Sequence, residues 1–288
     1  MNLAGTVVAA YGRQYRVELA AGVMLLCVPR GKKSELVCGD RVMVQRTSAD
    51  QGVIGALETR QTLLYRSDNF KQKLIAANVT QVIVVVATEP SFSDELLTRC
   101  VVAAENQAIE VLIVLNKCDL DERLAAASAA LLPYEDLGYR VVRLSARENG
   151  ELLLPYLANH TSLLIGQSGM GKSTLINALI PGADAPTREI SQALQTGKHT
   201  TTHARLYRPG AGSALIDSPG LTAFGLHHLS PEDIAHAFPE LRPLLGQCRF
   251  RNCRHEHEPD CSVLAAVGHG DIAPRRYAAF RSLCAEIG

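Results

Sequence analysis

Polar and apolar residues alternate along QYRVEL (14–19), where Tyr15, Val17 and Leu19 are spaced by Arg16 and Glu18. RVMVQR (41–46) repeats this period of two, which sends successive side chains to opposite faces of a strand. GVMLLCVPRG (22–31) and QGVIGALE (51–58) add short runs bounded by Gly and Pro. Several short strands with turn signals between them predict a small barrel over residues 1–65. An OB-like barrel of five strands fits this length, and an SH3-like barrel fits nearly as well.

From about residue 78 the apolar runs become continuous, the pattern of parallel strands buried on both faces. QVIVVVAT (81–88), VLIVLN (111–116), YRVVRLS (139–145), TSLLIG (161–166) and SALIDS (213–218) form the series. Helical stretches such as SDELLTRCVVAAENQ and DERLAAASAALLPYEDLG lie between most of them. Strand–helix alternation predicts an α/β domain with a mostly parallel sheet over 66–229. Beyond it, SPEDIAHAF reads as a capped helix, with Ser230 at the N-cap, Pro231 first and Asp233 third. A last helix is predicted over PRRYAAFRSLCAEI, within a C-terminal unit spanning 230–288.

A length of 288 residues accommodates such a three-part chain. Lys plus Arg and Asp plus Glu number 29 each, so overall charge points to no nucleic-acid partner and only local basic patches could. The N-terminus lacks the basic start, apolar run and cleavage site of a leader. No stretch approaches the roughly 18 uninterrupted apolar residues of a membrane span. These features predict a cytosolic protein with no membrane association. In a reducing compartment, clustered cysteines point to metal or catalysis rather than disulfides. Cys27, Cys38, Cys100, Cys118 and Cys284 are scattered and read as passive thiols, whereas Cys248, Cys253 and Cys261 crowd together.

GQSGMGKST (166–174) satisfies G-x-x-x-x-G-K-[ST] between an apolar strand and a helix, the context a phosphate loop requires. Gly166, Gly169 and Gly171 permit the tight turn that aims backbone N–H groups at phosphate oxygens. Gln167, Ser168, Met170 and Thr174 complete the loop. Lys172 is expected to reach the β- and γ-phosphates and Ser173 to ligate Mg²⁺. DSPG (217–220) ends a strand, where Asp217 would hold Mg²⁺ through water and the Gly220 N–H would meet the γ-phosphate. The polar stretch between them, 182–207, reads as a loop that orders on nucleotide binding. Thr200, Thr201 and Thr202 compete as a second Mg²⁺ ligand, with Thr201 preferred.

NKCD supplies Asn116, Lys117, Cys118 and Asp119 after a buried strand. An acid there accepts from guanine N1–H and the 2-amino group, which adenine lacks in that arrangement. Asn116 would brace the loop and contact N7, and the Lys117 stem would cover the base. SAR (145–147) follows the next strand, so Ser145 and Ala146 are candidates, the Ala146 N–H for guanine O6. These motifs run in the order base reader, SAR, phosphate loop, Thr loop, D-x-x-G. That is a cyclic rotation of the usual order for a GTP-binding domain, and a compact domain tolerates it because its termini lie close together.

CRFRNCRHEHEPDC spaces its groups C-x4-C-x-H-x5-C. Three thiolates and an imidazole suit one tetrahedral structural Zn²⁺ held by Cys248, Cys253, His255 and Cys261, with His257 the alternative imidazole. Arg242, Arg249, Arg251 and Arg254 form a candidate patch for a phosphate backbone.

The barrel, the rotated GTPase motifs and the Cys/His module together resemble the ribosome-small-subunit-dependent GTPases, the RsgA/YjeQ family, over essentially the whole chain. The resemblance implies a GTPase that binds GTP and GDP, docks on the 30S subunit and its 16S rRNA late in assembly, and is stimulated by that subunit. It implies a monomer whose barrel and zinc module face RNA. In many GTPases a Gln after D-x-x-G positions the attacking water. Here the residue is Leu221, so His199 becomes the candidate catalytic group beside Lys172, and the isolated protein is expected to hydrolyse GTP slowly.

Overall fold

The computed structural model describes residues 2–31, 35–67, 72–183, 185, 204–210, 212–218 and 224–287. Strands β1 (Asn2–Tyr11), β2 (Gln14–Leu19), β3 (Met24–Pro29), β4 (Arg41–Arg46) and β5 (Gln51–Leu57) form the barrel. The alternation buries Tyr15, Val17, Leu25, Cys27, Val42, Val44 and Ile54 in one core. Pairing runs β1–β2–β3–β5–β4, and β4 returns to β1 to close the sheet. Only the β3–β5 pairing in this closed set is parallel. This is the arrangement of an OB barrel, which decides between the two barrels that the sequence allows.

A hairpin of β6 (Leu63–Ser67) and β7 (Gln72–Ala77) follows, an element the hydrophobic pattern did not reveal. It is tied to the barrel through long-range contacts. Asn78 Nδ2 donates to the Gly39 carbonyl at 2.8 Å, and Arg60 pairs with the buried Asp40 at 2.7 Å.

The second sheet contains β8 (Gln81–Ala87), β9 (Glu110–Asn116), β10 (Arg140–Arg143), β11 (Thr161–Ile165), β12 (Arg205–Tyr207) and β13 (Ala214–Asp217). Their spatial order is β10-β9-β8-β11-β13-β12, parallel except for the antiparallel β12. Val82, Val84 and Val86 face one core while Ile83 and Val85 face the other, which is why the run is apolar throughout. Each such aliphatic side chain contributes about 1.5–3 kcal/mol on full burial. Helices α1 (Asp94–Asn106) and α2 (Asp121–Asp136) cover the first face. The short α3 (Leu154–Leu157) and α4 (Lys172–Leu179) cover the second.

The expected rotation is visible in this order. From β8 the chain steps outward through β9 to β10, then returns to β11 on the other side of β8 and builds the opposite half. The reversal between β8 and β11 is a topological switch point, where open α/β sheets bind ligands beyond the carboxyl ends of their strands. The phosphate loop leaves β11 and NKCD leaves β9, so both loops open at that end.

The C-terminal module comprises α5 (Pro231–His236), α6 (Ser262–His269) and α7 (Pro274–Ile287). The capping box at α5 is complete: Ser230 Oγ accepts from Asp233 N–H, and the Asp233 carboxylate accepts from Ser230 N–H. Phe238, Leu241, Phe280 and Leu283 share a core with Leu97 and Val101 of α1. Among the described residues, no helix is long and apolar enough to cross a membrane.

Candidate nucleotide site and metal centre

Gly166 begins the phosphate loop pressed against β8, and a Cβ there would collide with the Val85 carbonyl. Gly171 caps α4 in the left-handed region at φ 90°, where a Cβ would collide with Asn116 Nδ2. Both positions therefore require glycine for close approach as well as for conformation. Asn116 is 1% exposed. Its Nδ2 donates to the Met170 carbonyl at 2.8 Å, and its Oδ1 accepts from the Ala146 N–H at 2.8 Å. One side chain thus fastens the phosphate loop, NKCD and SAR to each other. The Ala146 N–H, expected to reach a base oxygen, is directed to Asn116 here.

The base loop is held from several sides. Thr88 Oγ1 donates to the Lys117 carbonyl at 2.9 Å, and Lys117 Nζ donates to the Glu89 carbonyl at 2.6 Å. Lys117 has φ 61°, a conformation a non-glycine residue adopts at some energetic cost and one that recurs at functional sites. Cys118 N–H donates to the Leu144 carbonyl at 3.2 Å. Asp119 is exposed, with its carboxylate accessible to a base edge. Ser145 is buried, and its N–H donates to Asn149 Oδ1 at 2.8 Å.

Lys172 Nζ donates to the Gly166 carbonyl at 2.5 Å and the Gln167 carbonyl at 2.9 Å. Burial lowers the Lys172 pKa and raises that of Asp217 at the end of β13; their mutual attraction opposes both shifts. A half-desolvated ammonium and carboxylate at the mouth of one loop suit a triphosphate and its divalent cation. Ser173, in the first turn of α4, has the hydroxyl such a cation takes. Gln167 plays a part the motif did not foretell: its Oε1 accepts from the Ser93 N–H at 3.0 Å, fixing the N-cap of α1. Ser168, Gly169 and Thr174 lie on the loop and the first turn of α4 as expected. His199, Thr200, Thr201, Thr202, Gly220 and Leu221 lie outside the described residues.

Cys248, Cys253, His255 and Cys261 bring their donor atoms within 4.8 Å of one another. His255 Nδ1 lies 3.3 Å from Cys261 Sγ and 3.5 Å from Cys248 Sγ, and those two sulfurs are 3.8 Å apart. A tetrahedral Zn²⁺ with its usual bond lengths has edges of about 3.8 Å between sulfurs and about 3.5 Å between sulfur and nitrogen. The donor set and its spacing therefore fit zinc. His257 does not join it; its side chain is 88% exposed, whereas His255 is buried at φ 60° with Nδ1 turned inward. Two supporting groups escaped the sequence pattern. Tyr277 hydroxyl donates to the His255 carbonyl at 2.6 Å, and Ser262 Oγ lies 3.1 Å from Cys248 Sγ.

The expected basic patch is only partly available. Arg242 is engaged by Glu105 at 2.5 Å and the His236 carbonyl at 2.6 Å. Arg249 pairs with the exposed Asp260 at 3.0 Å and lies 5.5 Å from the Phe250 ring centroid. Arg251 and Arg254 are exposed.

Residues 57–227 match the RsgA GTPase family. The small ribosomal subunit biogenesis GTPase RsgA of Burkholderia pseudomallei strain 668 is 54% identical over 287 residues, covering 98% of this chain and 91% of its own. The protein of the same name from Ralstonia pickettii is 53% identical over 290 residues, covering 98% and 92%. The crystal structure of YjeQ from Thermotoga maritima superposes with a TM-score of 0.79 at 31% identity, covering 100% of this chain and 99% of that one. YloQ, described as a circularly permuted GTPase, gives 0.75 at 25% identity, covering 100% and 95%. With the rotated strand order and the fastened phosphate and base loops already established on physical grounds, these likenesses show that the chain belongs to the RsgA GTPase family.

Proposed function

We propose that this protein hydrolyses GTP to GDP and phosphate, binds the small (30S) ribosomal subunit through its 16S rRNA, and acts in late maturation of that subunit, which stimulates its hydrolysis. The observation that carries the reading is the double hydrogen bond of Asn116, which fastens a complete phosphate loop to a complete guanine-reading loop at a sheet switch point. The names borne by the relatives supply the ribosomal context.

In this reading the chain divides into a barrel (1–65), a rotated GTPase domain (66–229) and a zinc module (230–288), and acts as a cytoplasmic monomer. Asp119 selects guanine, with Asn116, Lys117, Cys118, Ser145 and Ala146 forming the base pocket. Backbone N–H groups from Gly166 to Thr174 cradle the phosphates, and Lys172 balances their charge. Ser173 and Thr201 would hold Mg²⁺ directly, with Asp217 behind them and Gly220 at the γ-phosphate. The cation would neutralise charge on the phosphoryl oxygens. His199 orients the attacking water, a task for which the Leu221 side chain has no polar atom. One zinc ion in the Cys248, Cys253, His255 and Cys261 cluster is structural, since four protein ligands leave no open position.

The test is equilibrium binding of GTP and ATP, run beside cosedimentation with purified small subunits. The proposal expects a preference for GTP of at least about a hundredfold, because a site that pairs an acid with guanine leaves it unpaired against adenine. It also expects the protein in the subunit fraction. Equal affinity for the two nucleotides, or no cosedimentation, would contradict it.

A further inference from the structure

We propose that Phe250, held on the metal-binding turn between Cys248 and Cys253, stacks one unpaired RNA base, with Arg251 and Arg254 taking the adjoining phosphates. The proposal rests on the reading above that the chain binds 16S rRNA, and it names the kind of nucleotide that the C-terminal module takes.

Phenylalanine is usually placed inside a protein. Phe224, Phe238 and Phe280 are buried, and Phe92 is half-buried against the cores of the second sheet. Among the described phenylalanines Phe250 alone is exposed, at 42%. A single exposed ring is ordinary by itself; its mounting and its neighbours set this one apart. It follows one candidate zinc ligand by two residues and precedes the next by three. Cys253 N–H donates to the Phe250 carbonyl at 3.3 Å and closes the turn. Arg249 is tied to Asp260 twice, its N–H to the carbonyl at 3.3 Å and its Nη1 to Oδ2 at 3.0 Å. The Arg249 guanidinium carbon lies over the Phe250 ring, 5.5 Å from the centroid. The ring is thus carried on a turn pinned at both ends, so little further ordering is needed when a ligand settles on it.

The charges around the ring are unevenly balanced. Asp260 pairs with Arg249, and Glu256 pairs with Arg281. The Glu258 carboxylate accepts from the N–H groups of Arg254, Glu256 and His257. The acids of this turn are therefore engaged. Arg251 and Arg254 are exposed, and neither side chain has a carboxylate partner among the described residues. An aromatic face beside two uncompensated guanidinium groups matches a base and its phosphates: the ring takes the π-face and the cations displace backbone counterions. A base inside a duplex has both faces covered by stacking, so the ring requires an unpaired one. An apolar protein surface would suit the ring but would leave the two arginines beside it desolvated without counter-charge.

The test uses the full, zinc-loaded chain labelled with fluorinated phenylalanine, the Phe250 resonance being assigned by its loss in Phe250→Leu. A hairpin RNA with an unpaired loop should shift that resonance, and the blunt duplex of its stem should leave it in place. Against purified small subunits, Phe250→Ala should weaken binding at least about fivefold without changing the salt slope, because stacking releases no counterions. Phe250→Trp should restore the affinity. Arg251→Gln and Arg254→Gln should each reduce the slope by about one. Zinc content and isolated GTP hydrolysis of these variants should match the parent, which separates a lost contact from a lost fold. A resonance that ignores the hairpin, or moves equally with the duplex, would overturn this inference and leave the functional reading intact. So would Phe250→Ala binding subunits as tightly as the parent. Weakened subunit binding without a hairpin response would mean that Phe250 meets a ribosomal protein, and would overturn it equally. A parent chain that binds no small subunits would overturn the functional reading and this inference together.

Discussion

Replacing Arg276 by Met should destabilise the union of the C-terminal module with the GTPase sheet far more than loss of a surface charge would. Arg276 is 1% exposed and its partner Glu240 has a side chain 7% exposed. Nε meets Oε1 at 2.8 Å and Nη2 meets Oε2 at 3.4 Å, while Nη1 donates to Thr98 Oγ1 of α1 at 3.3 Å. The guanidinium also lies 4.5 Å from the Phe238 ring centroid and 5.1 Å from that of Tyr134. Met keeps much of the volume but leaves Glu240 as a buried carboxylate without a cation, which costs about 3–5 kcal/mol. The stacked rings add about 0.5–2 kcal/mol where the cation is desolvated. Arg276→Met with Glu240→Leu removes the stranded charge as well, and should recover all but about 1–2 kcal/mol, since apolar replacement of both partners is often neutral. Urea unfolding followed by far-ultraviolet circular dichroism measures both variants and the Glu240→Leu single variant. A coupling energy of at least about 2 kcal/mol is expected from this cycle. If the Met variant loses under about 1 kcal/mol, or the double variant is no better than the single, the pair is not the clamp described here.

Asp119→Asn should weaken GTP binding and improve binding of xanthosine triphosphate, because the exocyclic partner changes from donor to acceptor; unaltered GTP affinity in a nucleotide titration would contradict the assignment. Cys253→Ser should lose the zinc and unfold the module around α6, since metal binding contributes directly to folding, and elemental analysis finding about one zinc per chain in the variant would refute this. Backbone N–H groups of Arg254, Glu256 and His257 hold the Glu258 carboxyl at about 2, below its ordinary value of 4.5. The folded pKa is depressed, so its contribution to the loop is complete above pH 4.5 and fades as pH falls towards 2; a carboxyl titration by NMR with a midpoint near 4.5 would contradict it.

Much of the molecule was legible where local chemistry leaves little choice. VIVVVA (82–87) is apolar at every position because both faces of β8 are buried, and Gly171 is fixed by both conformation and the proximity of Asn116. Ser230, Pro231 and Asp233 announce the start of α5 through one local hydrogen-bond pattern. The elements that escaped are those defined by distant partners. β1 contains Gly5 and several alanines, so its alternation is faint, and its identity comes from pairing with β2, β4 and β12. The β6–β7 hairpin depends on Asn78 and Cys38, and α6 is capped by the Cys261 sulfur, which accepts from Leu264 N–H at 3.5 Å. Spacing alone leaves His255 and His257 as alternatives; only the turn at His255 decides between them. The site motifs likewise name the loop residues but not that Asn116 binds three loops together, nor that Gln167 ties the phosphate loop to α1.

The rate of GTP hydrolysis by the full chain, with and without purified small ribosomal subunits, tests the central claim most directly. The phosphate loop and the NKCD loop are both formed by the chain itself and fastened through Asn116, so GTP should bind without the ribosome. The Leu221 side chain has no polar atom to orient water, so the isolated rate should be low. Small subunits should raise it at least about tenfold, equivalent to roughly 1.4 kcal/mol off the barrier. A fast isolated enzyme that is indifferent to added subunits would contradict the account.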